Sequence, residues 1–130
     1  MAGKILVVGS LHLDVIVHSS RLPKPDETLL GDNVSYRFGG KGGNQAVAAA
    51  KIDVQVFMAG RIGTDNFGKQ IYDTLSNQNI NLDGLKMVDE ATGMSVALIG
   101  SDGIYCAVVV SGANQTCLLY TSDAADEMRR

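Results

Sequence analysis

Residues 39–50 read GGKGGNQAVAAA, and this segment carries the most structural information in the 130-residue chain. Glycines let a backbone approach a ligand without intervening side chains, and the alanine-rich run behind them is a strong helix former. The amides at the start of that helix would point back at the glycines, where Lys41 adds a cation and Asn44 adds a side-chain amide. The segment predicts a cradle for a polyhydroxyl or anionic small molecule. The alternative is a flexible turn before an ordinary helix, although a turn needs only one or two glycines.

Composition and charge exclude several kinds of partner. The formal net charge is -3 and basic residues form no run, which argues against nucleic-acid binding. The apolar stretches are too short to span a bilayer, and the N-terminus lacks the features of a signal peptide, so we expect no membrane partner. The 2 cysteines and 2 histidines have no metal-ligand spacing and no disulfide framework, so we expect no metal site in a reduced, cytoplasmic protein.

The order of elements predicts an α/β fold with a parallel sheet. Residues 5–8 form a continuous apolar run, typical of a strand buried on both faces. A helix over about 43–52, a strand over 54–59 and a second helix after Thr64 or Asp65 follow, the last with apolar residues at steps of four. This order predicts right-handed crossovers and ligand binding beyond the carboxyl ends of the strands.

A second group of strands surrounds this layer. Residues 11–18 alternate apolar and mostly polar side chains, which places His12 and Asp14 on one polar face. Residues 27–38 predict one or two short strands, and residues 95–99 and 105–110 predict a hairpin around an Asp-Gly turn. Together these strands predict a small antiparallel sheet that could cover a cleft.

These segments resemble, in order and spacing, the N-terminal half of the PfkB-type carbohydrate kinases, and ribokinase most of all. The resemblance rests on residues 7–14, 25–28, 38–50 and 60–68, and on Thr92-Gly93 and residues 111–114, so it covers about 4–114. It implies an α/β ribokinase-like fold with a β-sheet lid that often mediates homodimerisation. It also implies phosphoryl transfer from ATP to a sugar hydroxyl, helped by Mg²⁺ and, in the complete enzyme, by a monovalent cation.

The resemblance also implies roles for individual residues. Sugar-contacting positions of the family match Asp14, Gly40, Lys41 and Asn44, together with the neighbouring Gly39 and Gly42. Lid positions that touch the substrate match Ser95, Ala97 and Val109. Two departures bear on the substrate: His12 stands where ribokinases usually have Asn, and Asp26 stands where the family usually has Gly. A histidine cannot reproduce the paired donor and acceptor of an amide, so we expect a ribose-specific contact to differ here. We nevertheless expect a pentose first and a nucleoside or another sugar second.

In this family the catalytic base lies in a D-T-x-G-A-G-D segment, which is absent from these 130 residues. We therefore expect residues 1–116 to be the incomplete N-terminal portion of a kinase domain, inactive alone and prone to aggregation. Residues 117–130 break the alternating pattern and resemble a translated sequencing adaptor, so we interpret them as a non-native tail.

Rival interpretations fit the sequence less well or stay open. A dinucleotide-binding domain needs three spaced glycines directly after the first strand, where only Gly9 is present. A nucleotide-binding P-loop needs Ser or Thr after its lysine, but Gly42 follows Lys41. A non-catalytic sugar-binding or dimerisation module remains an alternative to a kinase half.

Overall fold

The structure, a computed structural model, describes residues 3–117. The proposed non-native tail lies outside the described residues except for Cys117. The elements in chain order are β1 (Lys4–Val8), β2 (His12–Ser19), β3 (Asn33–Gly39), α1 (Lys41–Ala49), β4 (Gln55–Gly63), α2 (Asn66–Ser76), β5 (Asn81–Val88), β6 (Met94–Gly100), β7 (Tyr105–Val110) and a 3-10 helix (Gly112–Thr116).

Three parallel strands in the order β1-β4-β5 form the main sheet, as the alternation of strands and helices predicts. Val56, Met58 and Ile62 of β4 are buried in one cluster with Ile71 and Leu75 of α2. The apolar residues at steps of four in α2 therefore mark the face that packs on the sheet.

The expectation that β1 is buried on both faces is wrong. Val7 is buried at 8% exposure, but Leu6 is 64% exposed and Val8 is 40% exposed. Alternate residues of a strand point to opposite faces, and the described helices cover only the face that holds Val7. An apolar strand thus leaves one face of the main sheet open.

The second sheet, which we call the lid sheet, has the order β3-β2-β6-β7. It contains the predicted hairpin β6-β7, whose turn ends at Gly103 with a φ of 84°. The sheet is not wholly antiparallel as expected, because β2 and β6 run parallel. They run parallel because each leaves the main sheet in the same direction, β2 after β1 and β6 after β5.

Boundaries and one strand differ from the sequence-based expectation. Helix α1 begins at Lys41, two residues earlier than expected, so Gly42 and Gly43 belong to its first turn. Strand β3 is a single strand, and β5 was not predicted. The register between β4 and β5 shifts between Phe57 and Ala59, so the alternation that would reveal β5 is interrupted.

Candidate functional site

The start of α1 is built by backbone packed directly on backbone. Gly40 caps the helix with a φ of 92°, and a methyl group there would lie 2.6 Å from the Ser10 carbonyl oxygen. One at Gly42 would lie 2.6 Å from the Gly9 carbonyl carbon, and Gly43 N donates a hydrogen bond to Ser10 O at 3.1 Å. Glycine is required because these contacts leave no room for a side chain. The structure thus places Gly42 against the turn between β1 and β2.

Two polar side chains stand at the amino-terminal end of this helix. Lys41 is its first residue and is exposed, and Asn44, one turn later, is also exposed. The sequence suggested a lysine inside a glycine loop, whereas the structure has it in the first helical turn. The helix dipole adds partial positive charge at the same end, which favours an anionic or oxygen-rich ligand.

Asp14 reaches this same point from β2. Across the two strands, His12 is opposite Gly39 and Asp14 is opposite Arg37. The Asp14 carboxylate packs onto the α-carbon of Gly39, where an added methyl group would collide with Oδ2 and lie 2.9 Å from Oδ1. The absent side chain of Gly39 therefore leaves room for the carboxylate beside Gly40, the N-cap of α1.

The lid sheet presents the remaining predicted residues on the face that carries Asp14. Asp14 is paired with Ser95, and Ser95 is paired in turn with Val109. Ala97 follows Ser95 by two residues and so has the same orientation. Ser95 is half-buried, Ala97 is buried at 6% exposure, and Val109 is 48% exposed. A row of one carboxylate, one hydroxyl and two small apolar groups therefore lines this face.

His12 lies deeper on the same face, at the junction of the two sheets. Its side chain is buried at 7% exposure, and a methyl group added at Gly93 would collide with Cδ2 of the ring. Burial lowers the pKa of His12 below its ordinary value, while the neighbouring Asp14 carboxylate partly opposes that shift. The ring is therefore neutral near pH 7.

Asn114, to which the sequence assigned no role, holds this junction together. Its Oδ1 accepts a hydrogen bond from Leu11 N at 3.0 Å, and its Nδ2 donates to Leu11 O at 2.9 Å. These partners are 103 residues apart in the chain. The sequence offered one signal for Asn114, its place in segment 111–114, which is part of the family resemblance. That signal does not show that Asn114 binds the backbone of Leu11.

Asp65 and Thr92 form a second tie between the main sheet and the strands of the lid. Asp65 Oδ1 accepts hydrogen bonds from Gly68 N at 2.9 Å and from Thr92 Oγ1 at 2.5 Å, and Oδ2 accepts one from Thr92 N. Thr92 Oγ1 in turn accepts a hydrogen bond from Gly63 N. Burial alone would raise the pKa of Asp65, but the hydrogen bonds outweigh it and lower the pKa.

Comparison with known proteins agrees with this architecture. The profile described as pfkB family carbohydrate kinase matches residues 2–127. The chain belongs to the pfkB family of carbohydrate kinases.

Individual members of the family resemble this pfkB chain closely. The ribokinase of Bacillus subtilis is 39% identical over 110 residues, which are 85% of this chain and 38% of that protein. The deoxyribokinase of Salmonella typhi is 32% identical over 112 residues, 85% of this chain and 37% of that protein. The structure of Arabidopsis thaliana ribokinase complexed with ribose and ATP superposes with a TM-score of 0.84 at 36% identity, covering 98% of this chain and 42% of that one.

The ribokinase-like fold is thereby confirmed, and the chain spans less than half of the length of these relatives. Within residues 3–117, no group of three or more His, Cys, Asp or Glu side chains could hold a metal ion. No helix of the described part is long and apolar enough to cross a membrane.

Proposed function

We propose that this pfkB-family chain binds a pentose such as ribose, as the sugar-binding half and lid of an ATP-dependent kinase. The observation that carries the proposal is the Asp14 carboxylate packed on Gly39, next to the N-cap of α1. A carboxylate and the amino-terminal end of a helix supply acceptors and donors within reach of one small polyol.

Each side chain of the site has a role that suits a sugar. The two oxygens of Asp14 accept hydrogen bonds from two neighbouring hydroxyls, which distinguishes a sugar from an apolar molecule of the same size. Lys41 and Asn44 donate to ring or hydroxyl oxygens, and the glycines beside them let the sugar approach the helix. Ser95 adds a hydroxyl, while Ala97 and Val109 cover the C–H surface of the ring.

The substrate class follows from the relatives as well as from the site. Ribokinases are similar over most of this chain, and a deoxyribokinase is similar to a lesser degree. We place ribose first, with a nucleoside or another sugar as the alternative. A non-catalytic sugar-binding module is the other candidate, because Asp14 and the helix start serve binding alone.

We assign phosphoryl transfer, ATP and Mg²⁺ to the whole protein. The structural relative from Arabidopsis thaliana is a complex with ribose and ATP. When bound, Mg²⁺ would neutralise charge on the transferring phosphoryl group. The segment that holds the family's catalytic base is absent from this sequence, and for this chain alone we propose binding without turnover.

We also propose that two copies associate through the lid sheet. The lid sheet has two faces, and the one that does not carry Asp14 has large exposed apolar side chains: Tyr36 at 59%, Val96 at 38%, Val108 at 69% and Val110 at 53% exposure. Val15 of β2 pairs with Tyr36 on one side and with Val96 on the other, and Val96 pairs with Val108, so these residues form one apolar surface. A second copy of the same sheet would bury it on both molecules.

Calorimetric titration of the 130-residue chain with ribose tests the sugar-binding proposal. We expect Asp14→Asn to weaken ribose binding at least roughly tenfold, because the substitution removes the negative charge and replaces one acceptor oxygen with an NH2 donor. Asp53→Asn is the matched control, since Asp53 is an exposed carboxylate in the turn between α1 and β4. Equal affinity of the wild-type and Asp14→Asn chains would contradict the proposal. Turnover of ATP by this chain would contradict its predicted inactivity.

A further inference from the structure

Arg37 lies on the face of the lid sheet that carries Asp14, and its guanidinium makes no hydrogen bond or ion pair within residues 3–117. It is directly opposite Asp14 in the pairing of β2 with β3, so both side chains stand on one face of the sheet. Opposite charges at such positions normally attract each other across the strands. Here the Asp14 carboxylate packs on Gly39 instead, and Arg37 is exposed. This face therefore carries a carboxylate and a cation that are not paired with each other.

The Asp14 carboxylate lies toward one end of β3, and a second donor lies toward the other end. Gly39, which the carboxylate contacts, follows Arg37 by two residues in the direction of α1. Ser35 precedes Arg37 by two residues, on the same face and about 7 Å away along the strand. Ser35 is half-buried opposite Ile16, and its hydroxyl makes no hydrogen bond in the described part of the chain. Arg37 and Ser35 thus form a pair of unused donors beside the carboxylate.

These two donors match the chemistry of a phosphate group. A guanidinium presents paired N–H donors that fit two oxygens of a phosphate, and a hydroxyl can donate to a third oxygen. A phosphate between Arg37 and Ser35 would be beside the Asp14 carboxylate and not on it. The carboxylate would stay available to accept hydrogen bonds from sugar hydroxyls. An uncharged pentose, by contrast, would use the carboxylate and leave the guanidinium without a partner.

We propose that Arg37 determines specificity by binding a phosphate that the pentose carries, so that the substrate class is a phosphorylated pentose. This inference rests on the proposed function, because Asp14 holds the hydroxyls of the same sugar. Arg37 binds the phosphate through its guanidinium, and Ser35 adds one hydrogen bond.

Calorimetric titration of the 130-residue chain with ribose, ribose 1-phosphate and ribose 5-phosphate tests this inference. We expect one of the two phosphates to bind the wild type at least roughly tenfold more tightly than ribose, because hydrogen bonds between charged groups are stronger than those between neutral groups. The phosphate that binds more tightly identifies the end of the sugar that faces Arg37. Titration with inorganic phosphate measures binding of the anion without the sugar.

The preference is the ratio between the dissociation constant of ribose and that of the more tightly bound phosphate. Arg37→Gln keeps a polar side chain without its charge, and it should remove most of this preference. Arg37→Lys keeps the charge without the paired donors, and it should retain part of the preference. Lys51→Gln is the matched control, because it removes one exposed cation just after α1, and it should keep the full preference.

Ionic strength gives a second readout in the wild-type chain. Arg37 is exposed, and salt screens the interactions of exposed charges. Added sodium chloride should therefore weaken binding of the sugar phosphate more than binding of ribose. Arg37→Gln should reduce this difference in salt dependence.

The outcomes separate this inference from the proposed function. If the wild type binds ribose at least as tightly as both phosphates, or if Arg37→Gln keeps the full preference, Arg37 does not select the substrate and the proposed function stands. If inorganic phosphate binds as tightly as the sugar phosphates, the site takes an anion alone and the inference is overturned. If the wild-type chain binds none of the sugars, the proposed function fails and this inference fails with it.

Discussion

Gly40 illustrates at the scale of one residue how this site depends on the absence of side chains. Its φ of 92° is a left-handed conformation, and its α-hydrogens face Ser10 O, Leu11 Cα and His12 N. The glycine-rich sequence predicted an important segment, but not the reason for each glycine. Gly39 leaves room for Asp14, whereas Gly42 packs on Gly9. These reasons are tertiary contacts, which local sequence does not contain.

Gly40→Ala should be strongly destabilising. The alanine would adopt an unfavourable left-handed backbone, and its methyl group would lie 2.6 Å from Ser10 O. Because these two penalties add, we expect the free energy of unfolding to fall by more than about 3 kcal/mol. Gly103→Ala is the matched control, because Gly103 has a φ of 84° with open space around it. It should cost about 1–2 kcal/mol, the conformational penalty alone. Urea denaturation measures both, and equal losses would show that the collision does not matter.

His12 should make the stability of the chain depend on pH. Its ordinary pKa is 6.5, and burial lowers the pKa in the folded chain. The unfolded chain therefore binds the proton first as the pH falls, so the free energy of unfolding should decrease from pH 6.5 down to the folded-state pKa. Above pH 6.5 this contribution is complete.

The measurement is urea denaturation at pH 7.5 and at pH 5.5. Between pH 7.5 and pH 5.5 the free energy of unfolding should decrease less in His12→Asn than in the wild type. If the free energy of unfolding decreases equally in the wild type and in His12→Asn, other groups cause the pH dependence.

At the scale of elements, the features set by a few adjacent residues were predicted correctly, whereas those that depend on contacts distant in sequence were missed. The cap of α2 and the turn of the β6-β7 hairpin each depend on a few adjacent residues, and the structure has both. Strand β5 escaped prediction because its pairing with β4 changes register near Gly84, so apolar residues do not alternate along it. Helix α1 starts early because Gly40 packs on the turn after β1, a contact distant in sequence.

Asp65→Ala should destabilise α2 and loosen its tie to the lid strands. The substitution removes the cap bond to Gly68 N and both bonds to Thr92, and loss of the cap alone costs about 0.5–2 kcal/mol. Asp73→Ala, in the same helix at an exposed position, should change stability by less than about 0.5 kcal/mol. Thermal melts of the two variants give the comparison. If they melt at the same temperature, the Asp65 network contributes nothing.

At the scale of the whole molecule, two sheets meet at a junction made by chain crossings. Leu11, Gly40, Thr92 and Asn114 lie at these crossings, and their hydrogen bonds or close packing hold the lid sheet to the main sheet. The two-sheet plan could be predicted from the order of elements and the family resemblance. The parallel pairing of β2 with β6 could not, because it depends on strands far apart in sequence.

The exposed apolar face of the lid sheet leads to a prediction about assembly. Val108 is 69% exposed on an outer strand, so Val108→Lys should disrupt a dimer without disturbing the core. Sedimentation velocity should show a dimer for the wild type and a monomer for the variant. Ile52→Lys, at a 60% exposed site after α1, is the control and should leave the dimer intact. A wild-type monomer at all concentrations would contradict association through this face.

A crystal structure of the 130-residue chain soaked or grown with ribose tests the central claim most directly. The account predicts a ribose molecule with two hydroxyls on the Asp14 carboxylate and its opposite side at the start of α1, near Lys41 and Asn44. Ribose bound elsewhere on the molecule, with Asp14 still packed on Gly39 and free of sugar, would contradict it.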